Sequence, residues 1–196
     1  MTAQEQDPGG EHERNRENDR SISPRIYVAS LSDYNNGHLH GAWLEADQDL
    51  DDLYSGVEAM LRSSNEPGAE EFGIFDHEGF GPWRVSEYES LDTVATVAEG
   101  IATHGPAFAH WVEIVGGETD DLRGFEDAYL GHWKSVEAYA EDFAENVGLL
   151  ETEQIPGAFS AYIHVDYEAL GRDMELSGDI TTSEGDGGVY VFSGVW

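Results

Sequence analysis

Glu137, Glu141 and Glu145 stand four residues apart in one row, with Asp142 beside them. On a helix that spacing lines the carboxylates up at intervals of about 6 Å along one face. Like charges four residues apart destabilise a helix by roughly 0.2–0.5 kcal/mol per pair. Lys134 is the only lysine of the protein, and no cationic residue falls within the row. A file of carboxylates held at a cost in stability can attract cations arrayed along a basic surface. The row is therefore a candidate stand-in for the phosphates of DNA.

Other chemistry-bearing patterns are weaker. Asp47, Asp49, Asp51, Ser55 and Glu58 fall at positions 1, 3, 5, 9 and 12 of a calcium-loop template. Position 6 is Asp52, where the sharp turn needs glycine, and an apolar helical period runs through the supposed loop. The better reading is an acidic first turn of an ordinary helix. His38 and His40 are spaced to share one side of a strand, but no third ligand lies at an indicative spacing, so solvent-facing histidines are expected. His164 with Asp166, and Asp76 with His77 and Glu78, would each support an acid–base proposal. Close carboxylates are unavoidable in so acidic a chain and carry little information. The sequence has no G-x-S-x-G, no H-E-x-x-H and no phosphate-cradling glycine loop with lysine. It makes no positive case for an enzyme or a cofactor.

The chain has 196 residues, 9 basic against 41 acidic, with a formal charge of −32. At 39% hydrophobic and 11% aromatic it has material for a core. Direct binding to nucleic acid or to an anionic membrane surface is disfavoured, since both require a basic footprint. With no cysteine, no apolar stretch resembling a signal peptide and no membrane-length run, a cytoplasmic protein is expected.

The elements that must position these residues can be read in order. Met1 to Ser23 holds six acids and three arginines without apolar periodicity, and is expected to be disordered. RIYVAS from Arg25 reads as a strand, Tyr34–Gly37 as a turn and His38–Leu44 as the returning strand. Asp47–Arg62 reads as a helix with Leu50, Leu53, Tyr54, Val57 and Leu61 inward. Phe72–Phe75 is a third strand and 76–81 a loop. Leu91, Val94, Ala95, Ala98 and Ile101 define a helix that Gly105-Pro106 ends. Phe108, Trp111, Val112 and Val115 define a second. From Ser135 a further helix places Val136, Tyr139, Ala140, Phe143 and Val147 inward, with Ser135 as N-cap and Gly148 as its stop. Phe159, Tyr162, Ile163, Tyr167 and Leu170 suggest another helix, and a Gly-rich turn between 182 and 189 closes a terminal hairpin.

The acidity has a second explanation. Salt-adapted proteins also combine excess Asp and Glu with little lysine, and eight arginines beside one lysine fit that pattern. A halophile-adapted, acidic small-ligand or calcium-binding protein is thus the alternative reading. Salt adaptation should scatter acids over every exposed face, whereas mimicry should arrange them in tracks.

IYVASLSDYNNGHLHGAWLE resembles the opening of the ArdA antirestriction proteins, which pair an I-Y-V-A-x-L strand with a Y-N-x-G turn and a G-A-W strand. EEFGIFDHEGF resembles that family's E-E-[aromatic]-x-I-x-D-x-E segment. HVDYEALGRDMELSGDI resembles its D-Y-x-A-x-G-R-D-L-x-L-S-G segment, with Met174 in place of the usual leucine. The resemblance runs from Arg25 to Trp196. It implies an elongated α+β chain of three small domains that dimerises through its C-terminal part, with no cofactor. It further implies a DNA mimic that occupies the DNA groove of type I restriction–modification enzymes. Relative to the family the chain carries the leader and extra residues around Gly116 to Gly124. The expected domains are a leader (1–24), an N-terminal α+β domain with a three-stranded sheet (25–89), a small helical middle (90–121) and a C-terminal α+β domain bearing the dimer interface (122–196). The candidate phosphate-mimicking carboxylates are Asp47, Asp49, Asp51, Asp52, Glu70, Glu71, Asp76, Glu78, Glu126, Asp127, Glu137, Glu141, Asp142 and Glu145.

Overall fold

The computed structural model describes residues 23–117, 119–148 and 164–194. The leader up to residue 22, and Phe159, Tyr162 and Ile163 of the suggested C-terminal helix, lie outside them.

The first unit is a three-stranded antiparallel sheet. β1 (Arg25–Ser30) lies between β2 (Gly41–Glu45) and β3 (Phe72–Glu78). Alternation sends Ile26 and Val28 to one side, where both are fully buried. Helix α2 (Leu50–Arg62) packs on β1 and β2. Gly56 of α2 makes room for Leu44 of β2, because a Cβ there would stand 2.9 Å from Leu44 Cδ2. The inward stripe of α2 is Leu53, Val57 and Met60. Tyr54, expected inside, is 47% exposed. The stripe runs i, i+4, i+7 from Leu53 and leaves Tyr54 on its edge.

Three expectations for this unit are corrected. Tyr34–Gly37 closes a short helix, α1 (Leu31–Asn35), whose N-cap Ser30 accepts a hydrogen bond from the Asp33 N–H. The returning strand starts at Gly41 rather than His38. β3 continues through Asp76, His77 and Glu78, which were expected in a loop. A bulge opposite Tyr27 and Val28 leaves Phe75 as the extra residue and re-aims the strand beyond it.

Next come α3 (Leu91–His104) and α4 (Pro106–Val115), joined at Gly105 with φ +74°. Pro106 suits the first helical position, and the left-handed Gly116 ends α4. The Leu91 and Phe108 faces are buried, as their spacing predicts. Gly100 is required where α3 meets α4, since any Cβ would collide with the Phe108 ring. Two single turns, α5 (Thr119–Leu122) and α6 (Phe125–Ala128), follow.

The last unit holds β4 (Tyr129–Trp133), α7 (Val136–Asn146), α8 (Tyr167–Ser177) and the hairpin β5 (Ile180–Gly185) and β6 (Gly188–Ser193). β6 is central in an antiparallel sheet of order β4-β6-β5. The hairpin turns on Asp186 and Gly187, both at positive φ. β4 is a strand that periodicity did not suggest.

The main core runs from the N-terminal sheet and α2 through α3 and α4 to α6 and β6. Ile26, Val28 and Leu53 join Val94, Val97 and Ile101, then Trp111, Phe125, Tyr190 and Phe192. Phe192 stands 5.5 Å from Trp111 and 5.6 Å from Tyr129, ring centre to ring centre. A smaller cluster of Tyr139, Met174, Ile180 and Val191 lies beneath α7 and α8. Among the described residues no helix is long and apolar enough to cross a membrane.

Candidate functional site

The acid row lies where its spacing puts it. Ser135 caps α7, its hydroxyl accepting from the Ala138 N–H at 3.1 Å. Tyr139, Ala140 and Ala144 face inward, while Glu137, Glu141 and Glu145 are exposed. None of the three forms an ion pair among the described residues. Asp142 is half-buried and accepts from Asn146 Nδ2 at 2.7 Å, so it is less open than its neighbours. The expected inward face was too broad. Phe143 is 37% and Val147 56% exposed, because α7 packs through small residues against α8. The contact is close at Gly171 of α8, where a Cβ would meet Val136 Cγ1 at 2.9 Å.

Asp47, Asp49, Asp51 and Asp52 are all exposed at the start of α2. The helix begins at Leu50, so the calcium-loop template falls on helical backbone from its fourth position onward. Asp49 occupies the N-cap position without a side-chain capping bond. Asp47 and Asp49 share a groove of about 260 Å³ with Asp92 and Glu99 of α3. Asp92 and Glu99 were not singled out in the sequence. Their signal was an i, i+7 spacing on the polar side of α3, which says nothing of a neighbouring helix.

Glu70 and Glu71 are exposed beside a shallow hollow lined also by Leu31, Phe72 and Tyr88. A hydrogen bond with Glu87 pushes the Tyr88 phenol up from its ordinary pKa. Asp76 and Glu78 point from β3 to the sheet face opposite α2, with exposed Glu45 on β2 as a third acid there. Glu78 is not a free carboxylate. Arg25 Nε donates to its Oε2 at 2.8 Å, and Nη2 forms an ion pair with the same oxygen at 2.6 Å. Glu126 and Asp127 are exposed on the single turn α6. The candidate acids therefore do not converge on one cleft. They stand on the α2–α3 groove (Asp47 and Asp49), the first turn of α2 (Asp51 and Asp52), the Tyr88 hollow, the outer sheet face, α6 and α7.

The acid–base candidates do not assemble. Asp166 Oδ1 accepts from the Ala169 N–H at 2.9 Å as N-cap of α8. His77 turns away from Asp76 and Glu78, toward Phe80, with ring centres 5.9 Å apart. His38 is exposed, as expected. His40 is not a free surface ring. Its Nε2 lies 2.9 Å from the Met60 carbonyl and 3.1 Å from Ser63 Oγ, at the C-terminal end of α2. Among the described residues no three His or carboxylate side chains form a group able to hold a metal ion.

Fold and surface together define an acidic α+β protein whose outward chemistry is carboxylate, set on elements built around a main core and a smaller cluster beneath α7 and α8. The family model for antirestriction protein ArdA matches residues 26–188, and the chain belongs to that family. The family is one of inhibitor proteins rather than enzymes. No curated relative matches the chain by sequence.

Proposed function

We propose that this protein is a DNA mimic that enters the DNA-binding groove of a type I restriction–modification enzyme and competes with DNA. Family membership supports the antirestriction role and the class of partner. The observation that carries the mimicry is the Glu137–Glu141–Glu145 row, exposed on a capped helix whose other side is buried. A duplex strand bears one charge per about 3.4 Å, so a row at about 6 Å intervals is sparser than a strand. Carboxylates on α2, α3, α6 and the outer sheet face would have to supplement it. Such a surface offers no base edges, so it would compete with DNA of any sequence. We place the dimer contact near the C-terminal unit, away from the most acidic faces, and retain the three-domain division of residues 25–196.

The test is inhibition of ATP-dependent DNA cleavage by wild type and by a variant in which Glu137, Glu141 and Glu145 are all glutamine, at two ionic strengths. Single neutralisations should matter little, below the roughly 2 kcal/mol of a hot spot, whereas the triple variant should lose potency and some of its salt dependence. Equal potency at both strengths would remove the row from the mimic. A wild type that does not inhibit would reject the function for the enzyme assayed. Salt adaptation remains the second reading, favoured by the spread of acids over several elements and by one lysine beside eight arginines.

A further inference from the structure

The outer face of the N-terminal sheet holds a constellation that the acid row does not use. With Ile26 and Val28 turned toward α2, the opposite side of β1 carries Arg25 and Tyr27. Register sets Trp43, Tyr27 and Asp76 in one cross-strand row and Glu45, Arg25 and Glu78 in the next. The Tyr27 and Trp43 ring centres are 5.5 Å apart, and Trp43 remains 38% exposed. Gly41 lets the Tyr27 ring lie against the strand, since a Cβ there would stand 2.7 Å from Tyr27 Cζ.

This face already holds one guanidinium. Arg25 Cζ lies 4.7 Å from the centre of the Trp43 ring, while its nitrogens reach Glu78. An aromatic wall beside a carboxylate suits arginine better than lysine, because guanidinium is planar, weakly hydrated and able to stack while it donates. Glu45 and Asp76 are exposed on the same face and pair with no cation among the described residues. The geometry points to a docking surface for an arginine side chain presented by a basic protein partner. Trp43 and Tyr27 form its stacking walls, and Glu45 and Asp76 are its exposed carboxylates, with Asp76 Oδ1 accepting from the His77 N–H at 2.8 Å and Oδ2 left to the partner. Charge selects this occupant. At −32 overall, a second copy, a nucleic acid or an anionic membrane would each bring like charge to these carboxylates. The inference rests on the reading above, in which a DNA-binding enzyme supplies the basic groove. Arg25 then acts as an internal competitor for the partner's arginine.

The experiment has two arms on the full chain. In the first, 15N-labelled protein is titrated with hexa-arginine and with hexa-lysine peptides. The Trp43 indole N–H resonance, identified by its loss in Trp43→Thr, should respond at several-fold lower concentration of the arginine peptide. Arg25→Gln should lower the half-saturating concentration of that peptide by about threefold, a gain that impaired folding cannot produce. In the second arm, Trp43→Thr should raise the half-inhibitory concentration in the cleavage assay by about tenfold, with thermal unfolding checked in parallel, and Arg25→Gln should lower it. A Trp43 indole that does not respond, an equal response to both peptides, or weaker binding by Arg25→Gln would overturn the docking surface. An arginine-selective Trp43 response without enzyme inhibition would uphold the surface while rejecting the mimic reading for the enzyme assayed. Inhibition by wild type with a silent Trp43 would do the reverse.

Discussion

His110, with Trp111 beside it, is where α4 meets the C-terminal sheet. It is buried, its Nδ1 lies 2.7 Å from Ser183 Oγ, and its ring packs 4.4 Å from that of Tyr190. Tyr190 in turn lies 4.5 Å from the His132 ring and donates its hydroxyl proton to Asp186. Burial pushes the His110 pKa below its ordinary value; His132 acts in the same direction and Asp186 opposes both. The fold thus favours neutral imidazole, and the unfolded chain takes up the proton first as pH falls. Stability contributed here is complete above the ordinary histidine range, near pH 6.5, and is lost as pH drops from there toward the depressed folded value. Thermal unfolding compared at about pH 7.5 and about pH 5.5 should fall more for wild type than for His110→Gln. Equal falls would remove His110 from the pH response. Asp33 titrates in a separate window. Hydrogen bonds with Ser30 and Ser64 hold its carboxyl below the usual range, so its contribution is present above that range and lost only as pH falls through the lowered value.

At the scale of elements, α7 is held by the closeness of α8 rather than by a wide apolar stripe. Gly171→Ala would bring a Cβ to 2.9 Å from Val136 Cγ1 and 3.1 Å from the Val136 carbonyl oxygen. Backbone on one side and a β-branched side chain on the other leave little room to yield. Thermal or urea unfolding should show a loss of about 1–3 kcal/mol, as overpacking produces. The triple glutamine variant of the acid row should move the other way, gaining a few tenths of a kcal/mol, roughly, per relieved like-charge pair. Unchanged stability in Gly171→Ala would mean that the two helices shift apart without strain. A destabilised triple variant would mean that the row makes contacts beyond its own repulsion.

Across the whole molecule, a formal charge of −32 gives salt two opposed effects. Ions screen self-repulsion, with a Debye length of about 10 Å at 0.1 M, and should raise the unfolding temperature. The same screening weakens attraction to a basic groove, so inhibition should decline over the range in which stability rises. A protein that unfolds at moderate salt would favour the salt-adapted reading. One that folds at low salt, and inhibits best there, would favour the mimic. Sedimentation at micromolar concentration and moderate salt should show a dimer, and a purely monomeric species would count against the proposed C-terminal contact.

Much of the local structure followed from the sequence because it depends on near neighbours. The Ser135 cap, the 3.6-residue period of α2, α3 and α7, the Gly105-Pro106 break and a Gly-rich hairpin turn between 182 and 189, which the structure narrows to Asp186 and Gly187, all rest on residues a few positions apart. The exposure of the Glu137–Glu141–Glu145 row followed in the same way, since a helix with one buried side must turn the other outward. What depends on distant pairing did not follow. β4 is five residues long, contains Gly131 and pairs with β6 some sixty residues later, so no local pattern marks it. Asp76 and Glu78 read as loop because their polarity hides a strand, and only pairing with β1 puts them on one face with Tyr27 and Arg25. Asp92 and Glu99 join Asp47 and Asp49 only because α3 packs beside the start of α2. Charge and periodicity by themselves determined that this is an acidic α+β protein with a carboxylate row. The tertiary structure decided which of its acids share a surface, and that Arg25 already offsets one of them, Glu78. Neighbourhood in space is set by strand pairing and helix packing across long stretches of chain, and those contacts leave no short-range period to read.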